Sequence, residues 1–250
     1  MIQCLLSSQF KRILDYSNAT TIWKQLSPSS RWEAHVVADL IRSLPTNPIL
    51  LDLSCGTQPY RSATMGLKYF SCDFGKFAET PLEKSTIILG ELYHLSDFSF
   101  YCDTMLTSIA YNSFDAIHCT RVLEHLPYPE RALEKLHRIL KPNGRACITT
   151  PGICTKQQVP YFFFGGFSSF YFTNTLTDIG CSQFIINEHG TYIDFLIQES
   201  LCICAYRPIY LLPLLITLPI LLASRTSRWS RKLATMTIAT IATKQCPRMR

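Results

Sequence analysis

The segment PILLDLSCGT (48–57) constrains this chain more than any other. It is a short continuous apolar run that carries one acid, Asp52, and breaks into a turn of small residues, Ser54, Cys55 and Gly56. A strand apolar on both faces belongs inside a parallel sheet that helices cover on each side. In such open sheets ligands bind just beyond the carboxyl ends of the strands, and this segment puts a carboxylate and a close backbone turn there.

The rest of the chain supplies the matching elements. RWEAHVVADLIRSL (31–44) has apolar residues at helical spacing and ends before Pro45 and Pro48. LKYFSCDF (67–74) reads as a second strand ending in Asp73, and FSFYCD (98–103) as a third ending in Asp103. SFDAIHCT (113–120) is a fourth, PERALEKLHRIL (129–140) an amphipathic helix, KPNG (141–144) a tight turn and RACITTP (145–151) a further strand. A short helix over 173–180 closing at Gly180, then strands CSQFIINE (181–188) and LATMTIATIATK (233–244), complete the pattern. Strands alternating with helices across short turns predict an α/β fold.

Three acids at successive strand ends offer three acceptors along one sheet edge. Asp52 is placed for a cationic group, Asp73 for both hydroxyls of a ribose and Asp103 for an adenine amine. That set suits a nucleoside carrying an amino-acid tail. A dinucleotide site would need GxGxxG directly after the strand, and SCGTQP does not supply it.

Charge narrows the partners. The net charge is +6, but residues 201–250 hold eight basic residues and no acid, leaving sixteen basic against eighteen acidic in 1–200. A nucleic-acid binder places its basic face on the folded body, so no nucleic-acid partner is expected. The eleven cysteines form no CxxC pair and several lie inside apolar strands, which reads as buried thiols in a reducing compartment and not as zinc ligands.

The order of these segments resembles the class I S-adenosylmethionine-dependent methyltransferases, and more narrowly the type 11-like branch with a CG-x-x-PYR loop. LDLSCGTQPYR stands for LDxGCGxxPYR, YFSCDF for the acidic second-strand end, and VLEHLPYPERALEKLHRILKPNGRACITTP (122–151) for the helix-turn-strand block. The resemblance covers roughly residues 31–250. It implies a Rossmann-like sheet of seven mostly parallel strands with helices on both faces, a last strand antiparallel, and an apolar helical insertion before that strand. It implies S-adenosyl-L-methionine as cofactor, held by Asp52, Ser54, Cys55, Gly56, Asp73, Asp103, Thr104 and Thr120. Ser54 replaces the usual first glycine, a change compatible with a negative φ there. His125, in the LEH motif, is the candidate general base for an in-line methyl transfer. No metal is expected, because Arg121 stands where an ExxEH site would need an acid.

The resemblance also orders the domains. Residues 1–30 form an N-terminal leader, 31–190 with 233–244 the methyltransferase domain, 191–232 an apolar helical insertion and 245–250 a basic tail. Pro208–Ser224 is a 17-residue uncharged run interrupted by three prolines, followed by Arg225, Arg228, Trp229, Arg231 and Lys232. Such a segment suits a helix lying in a membrane interface against anionic headgroups, on the cytoplasmic side; a homodimer interface is the alternative. The expected acceptor is a small molecule, a glycan or a lipid-linked sugar near that surface, with the aromatic stretch PYFFFGGFSSFYF (160–172) as a lid over it. The alternative is a catalytically silent relative acting as a membrane-associated binding protein.

Overall fold

The computed structural model describes residues 27–56, 58–73, 85–88, 91–94, 99–101, 109–156, 158–181, 183–206 and 237–244. Asp103, Thr104 and the apolar run 208–224 lie outside the described residues. The described residues fall into two compact units, one within Glu33–His189 and Thr235–Arg250, the other within Met1–Trp32 and Gly190–Ala234.

The first unit is built on a seven-stranded sheet. Its strands are β1 (Ile49–Leu53), β2 (Lys68–Asp73), β5 (Phe100–Tyr101), β6 (Phe114–Thr120), β7 (Leu140–Pro151), β8 (Gln183–His189) and β9 (Thr237–Thr243). They are ordered β5-β2-β1-β6-β7-β9-β8. The pairs β1–β2, β2–β5, β1–β6 and β6–β7 are parallel, and β9 runs antiparallel between β7 and β8. The predicted seven strands with an antiparallel last one are therefore present. β3 (Ser85–Ile88) and β4 (Glu91–His94) pair separately as an antiparallel hairpin that the sequence pattern did not reveal.

Chain direction across the sheet decides where a ligand can sit. From β1 the chain moves outward through β2 to β5, then returns to β6 on the other flank of β1 and moves outward again through β7. The carboxyl ends of β1 and β6 thus border the point where the order reverses, the place where such sheets open a crevice.

The helix α1 (Pro28–Arg42) starts three residues earlier than its apolar spacing suggests. The Ser27 hydroxyl accepts from the Ser30 N–H at 3.2 Å, capping the first turn, and Pro28 leaves no N–H to satisfy there. The helix α2 (Pro129–Ile139) buries Leu133, Leu136 and Ile139 in a core that also holds Leu51, Leu53, Ile117, Cys119 and Ile148. Removing one such leucine side chain costs about 2–5 kcal/mol. KPNG does not end a strand. Leu140 already pairs with Phe114, the register slips, and Arg145 resumes pairing with Ala116, so the turn lies inside β7 with Asn143 at φ 65°. The helix α3 (Ser169–Asp178) is capped by the Ser168 side chain, and Gly180 follows at φ 80°.

In the second unit the helix α4 (Tyr192–Tyr206) opens with Asp194 accepting from the Thr191 N–H and hydroxyl, both at 2.8 Å. Among the described residues no helix is long and apolar enough to cross a membrane.

Candidate functional site

The loop after β1 is held from beneath. Cys55 N–H donates to Cys72 O at 3.0 Å, and Gly56 N–H donates to Asp73 Oδ2 at 3.0 Å. Asp73, at the tip of β2, thereby shapes the turn as well as edging the crevice. A side chain added to Gly56 would meet nothing within 4 Å, so open space stands over this glycine, which sits at φ 48°. Ser54 departs from the expected negative φ. It lies at φ 55°, in the left-handed region where the Cβ meets steric resistance. The turn needs that torsion whichever residue occupies it, so the serine accepts the strain that glycine avoids.

Asp52 is 2% exposed. The Tyr69 hydroxyl donates to its Oδ2 at 2.6 Å, and His118 Nε2, one strand across, lies 3.4 Å from the same oxygen. Burial raises the Asp52 pKa, with His118 and Tyr69 opposing, and burial lowers the His118 pKa. The imidazole is thus held neutral beside the carboxyl group. Tyr60 meets the His118 ring edge-on at 5.8 Å, and the Arg61 guanidinium stacks on Tyr69 at 4.2 Å. The Cys55 thiol is pushed up to about 12 by burial and then by the charges of Asp52 and Asp73. That thiol stays protonated at neutral pH and is no nucleophile.

A second group of polar residues gathers at the carboxyl end of β6. Thr120 closes the strand in register with Thr149. Arg121 follows at φ 54°, and its Nε donates to both carboxylate oxygens of Glu33 on α1, at 2.8 and 3.0 Å. Glu33 is 3% exposed, and its pKa is raised by burial against the pull of Arg121. A short 3-10 turn (Leu123–His125) comes next. His125 Nδ1 lies 2.6 Å from the Tyr161 carbonyl oxygen. Since a carbonyl only accepts, Nδ1 carries the proton and Nε2 is the basic atom. Glu124 is fully buried, neither carboxylate oxygen takes a hydrogen bond from another of the described residues, and burial pushes its pKa up to about 7.

The aromatic stretch is tied to this turn. Phe163 and Phe164 N–H donate to Glu124 O at 2.9 and 3.2 Å, and Phe167 N–H donates to Pro151 O at 2.9 Å. Phe167 and Phe172 are buried with Phe164 and Tyr171 around them, whereas Phe163 and Phe170 are exposed. The stretch is part core and part exposed rim.

The comparisons with known proteins rest on this geometry. Over residues 51–148 the chain matches a family described as a methyltransferase domain. The tRNA (carboxymethyluridine(34)-5-O)-methyltransferase of Macaca fascicularis is 26% identical over 117 residues, 46% of this chain and 16% of that protein. A mitochondrial arginine-hydroxylase of Homo sapiens is 32% identical over 113 residues, 43% of this chain and 30% of that protein. The chain therefore spans well under half the length of these relatives. Phosphoethanolamine N-methyltransferase 2 of Haemonchus contortus, solved with S-adenosyl-L-methionine, shares the fold at a TM-score of 0.53 and 14% identity, over 85% of this chain and 52% of that one. The cyclase SpnF shares it at 0.50 and 19%, over 84% of this chain and 81% of that one.

The Haemonchus contortus enzyme was solved with S-adenosyl-L-methionine. The residues present here fit that cofactor. Open space over Gly56 is flanked by Asp73, and Asp52 lies buried near the end of β1, from which that turn leaves. Of the residues expected at the cofactor, Asp52, Ser54, Cys55, Gly56 and Asp73 are brought together around one turn and Thr120 ends the neighbouring strand β6; His125, the expected base, lies in the turn after that strand. Sequence reasoning missed Glu33, Tyr69 and His118. Glu33 had a signal, an acid one helical turn from Val36 and Val37 on an apolar face.

Proposed function

We propose that this chain is an S-adenosylmethionine-dependent methyltransferase acting on a small-molecule, glycan or lipid-linked acceptor at the cytoplasmic face of a membrane. The observation that carries the reading is the pair of carboxyl groups, Asp52 and Asp73, set around the single open turn at Gly56. Asp73 is poised for ribose hydroxyls. Asp52, which burial keeps hungry for positive charge, supports the cationic amino group of the cofactor's tail.

When bound, the cofactor supplies an electrophilic methyl group on a sulfonium. The chain's own residues position the reactants and exclude water, which is the larger part of such a reaction's acceleration. The aromatic stretch covers the end of β6, with Phe163 and Phe170 as its exposed edge. His125, in the turn after β6, is the residue assigned to receive the acceptor's proton.

The acceptor class is argued from charge. The folded body has no excess of basic residues, which disfavours a polyanion such as tRNA. The basic cluster after the apolar run suits an anionic lipid surface instead. Names such as arginine-hydroxylase and cyclase among the similar proteins make the test chemical. Calorimetry with S-adenosylhomocysteine should give a saturable heat, and radiolabelled S-adenosylmethionine should label a membrane extract. Absence of any heat would favour the silent binding protein and end the enzymatic reading. Flotation with anionic liposomes tests the membrane separately; a chain that stays soluble as a dimer would replace it with a self-interface.

A further inference from the structure

We propose that Tyr60 and Arg61, neighbours in the loop after β1, are positioning residues for the cofactor's amino-acid tail. Each braces one of the two side chains, His118 and Tyr69, that hold the Asp52 carboxylate from either flank. This deepens the reading of Asp52 as the acid that answers the cofactor's cationic amino group, and it rests on that reading.

The clamp on Asp52 comes from the sheet. β1 lies between β2 and β6. Asp52 is in register with His118 on β6, and Leu50, two positions earlier, is in register with Tyr69 on β2. Alternate residues of a strand share a face. The acid on β1 therefore meets a phenol from one flank and an imidazole from the other. Both reach the same oxygen: the Tyr69 hydroxyl donates to Oδ2 at 2.6 Å, and His118 Nε2 lies 3.4 Å from it. Oδ1 stands outside both contacts and is the oxygen left to face a cation. The Asp52 side chain keeps 3% of its surface open and that of His118 none. In so dry a surrounding the carboxylate's charge acts on a nearby ammonium more strongly than it would in water.

The members of the clamp are themselves held by the loop. Neither ring nitrogen of His118 takes part in a hydrogen bond among the described residues. A buried imidazole in that state calls for a reason, and no hydrogen bond fixes its plane. Tyr60 packs on it instead, with the two rings at 81° and 5.8 Å between centroids. On the other flank the Arg61 guanidinium lies 4.2 Å from the centre of the Tyr69 ring. A cation over a phenol is attracted to the ring, and by drawing electron density from it makes the hydroxyl a stronger donor. Arg61 opens a 3-10 turn (Arg61–Thr64). Its Nη1 donates to Thr64 Oγ1 at 3.4 Å, and the Thr64 hydroxyl donates back to the Arg61 carbonyl at 2.8 Å. Two adjacent loop residues thus grip the two partners of one acid.

Asp73 on β2 and the Cys55 thiol in the turn also face Asp52. Burial works to keep Asp52 protonated, and the Tyr69 hydroxyl works against it. A carboxyl group that lost this clamp would take up a proton more readily and would be free to rotate. Its hold on the amino-acid tail would weaken, while Asp73, on the ribose side, would keep its bond from the Gly56 N–H. Tyr60 and Arg61 act through Asp52 and need not touch the cofactor.

Titration calorimetry of the whole chain with two ligands tests the brace: S-adenosylhomocysteine, which carries the tail, and methylthioadenosine, which lacks it. Tyr69→Phe should lose about tenfold in affinity for the first, and Tyr60→Leu and Arg61→Gln about threefold each. Affinity for methylthioadenosine should stay within about twofold of wild type in every variant. Tyr60→Phe, which keeps the ring, and Arg61→Lys, which keeps the cation, should each recover part of the loss. A role confined to folding would move both ligands together. That result, or unchanged S-adenosylhomocysteine affinity in the loop variants, overturns the proposal. Arg61 is exposed, so Arg61→Gln and its lysine rescue decide if Tyr60→Leu does not fold. A wild-type chain that binds neither ligand, or both equally, overturns the reading of Asp52 and the brace with it. A wild type that prefers S-adenosylhomocysteine, with loop variants that prefer it just as much, overturns the brace alone.

Discussion

Replacing Glu124 by glutamine should change how stability depends on pH. The carboxyl group has an ordinary pKa of 4.5, and burial lifts it to about 7 in the folded chain. Between those values the folded state binds more protons than the unfolded one, so stability falls as pH rises. Below about 4.5 the group is protonated in both states and adds nothing; above about 7 its full penalty is present. At about 1.4 kcal/mol per pH unit, the span amounts to about 3 kcal/mol. Glutamine keeps the shape and has no proton to lose. The stability of Glu124→Gln minus that of wild type should therefore grow by about 3 kcal/mol between pH 4.5 and 7.5, or about 6–12 °C in Tm for a chain of this size. Urea unfolding of both proteins at intervals across that range measures the difference, because titrating groups remote from Glu124 cancel. A difference that stays flat, or shrinks as pH rises, would refute the reasoning.

Ser54→Gly should stabilise the chain by about 1 kcal/mol, since it relieves a side chain at φ 55°; a loss of stability in thermal unfolding would show that the serine hydroxyl matters more than its torsion. Arg121→Met should cost about 3–5 kcal/mol by stranding the Glu33 carboxylate in the interior, and Glu33→Gln added to it should recover most of that; a double variant no better than the single, by urea midpoint, counts against the pair. Asp73→Ala should weaken S-adenosylhomocysteine binding at least tenfold by calorimetry, because it removes both the ribose acceptor and the partner of the Gly56 N–H; unchanged affinity would sink the cofactor placement.

The sheet was legible because each strand announces itself locally. ILLDL is apolar on both faces, and α2 shows its buried stripe as Leu133, Leu136 and Ile139. Asp52, Asp73 and Gly56 were legible because strand tips and turns carry their chemistry in adjacent letters. What escaped has a different origin. Glu33 and Arg121 lie 88 positions apart, and only the fold brings them together. His118 reads as an ordinary strand residue until Asp52 is found beside it in register. The Ser54 torsion belongs to the backbone path, which the side chain follows without dictating it. The hairpin β3–β4 is a local antiparallel pair set apart from the main sheet, so the pattern of alternating strands and helices did not point to it.

The clasp between Glu33 and Arg121 also fixes how small the domain can be cut. The match to the methyltransferase family begins at Leu51, yet Glu33, eighteen residues upstream on α1, supplies both of its carboxylate oxygens to that guanidinium. A fragment trimmed to the recognisable border would leave a cation stranded with no counter-ion from α1. Expression boundaries for this protein should start before Ser27, where the cap of that helix begins.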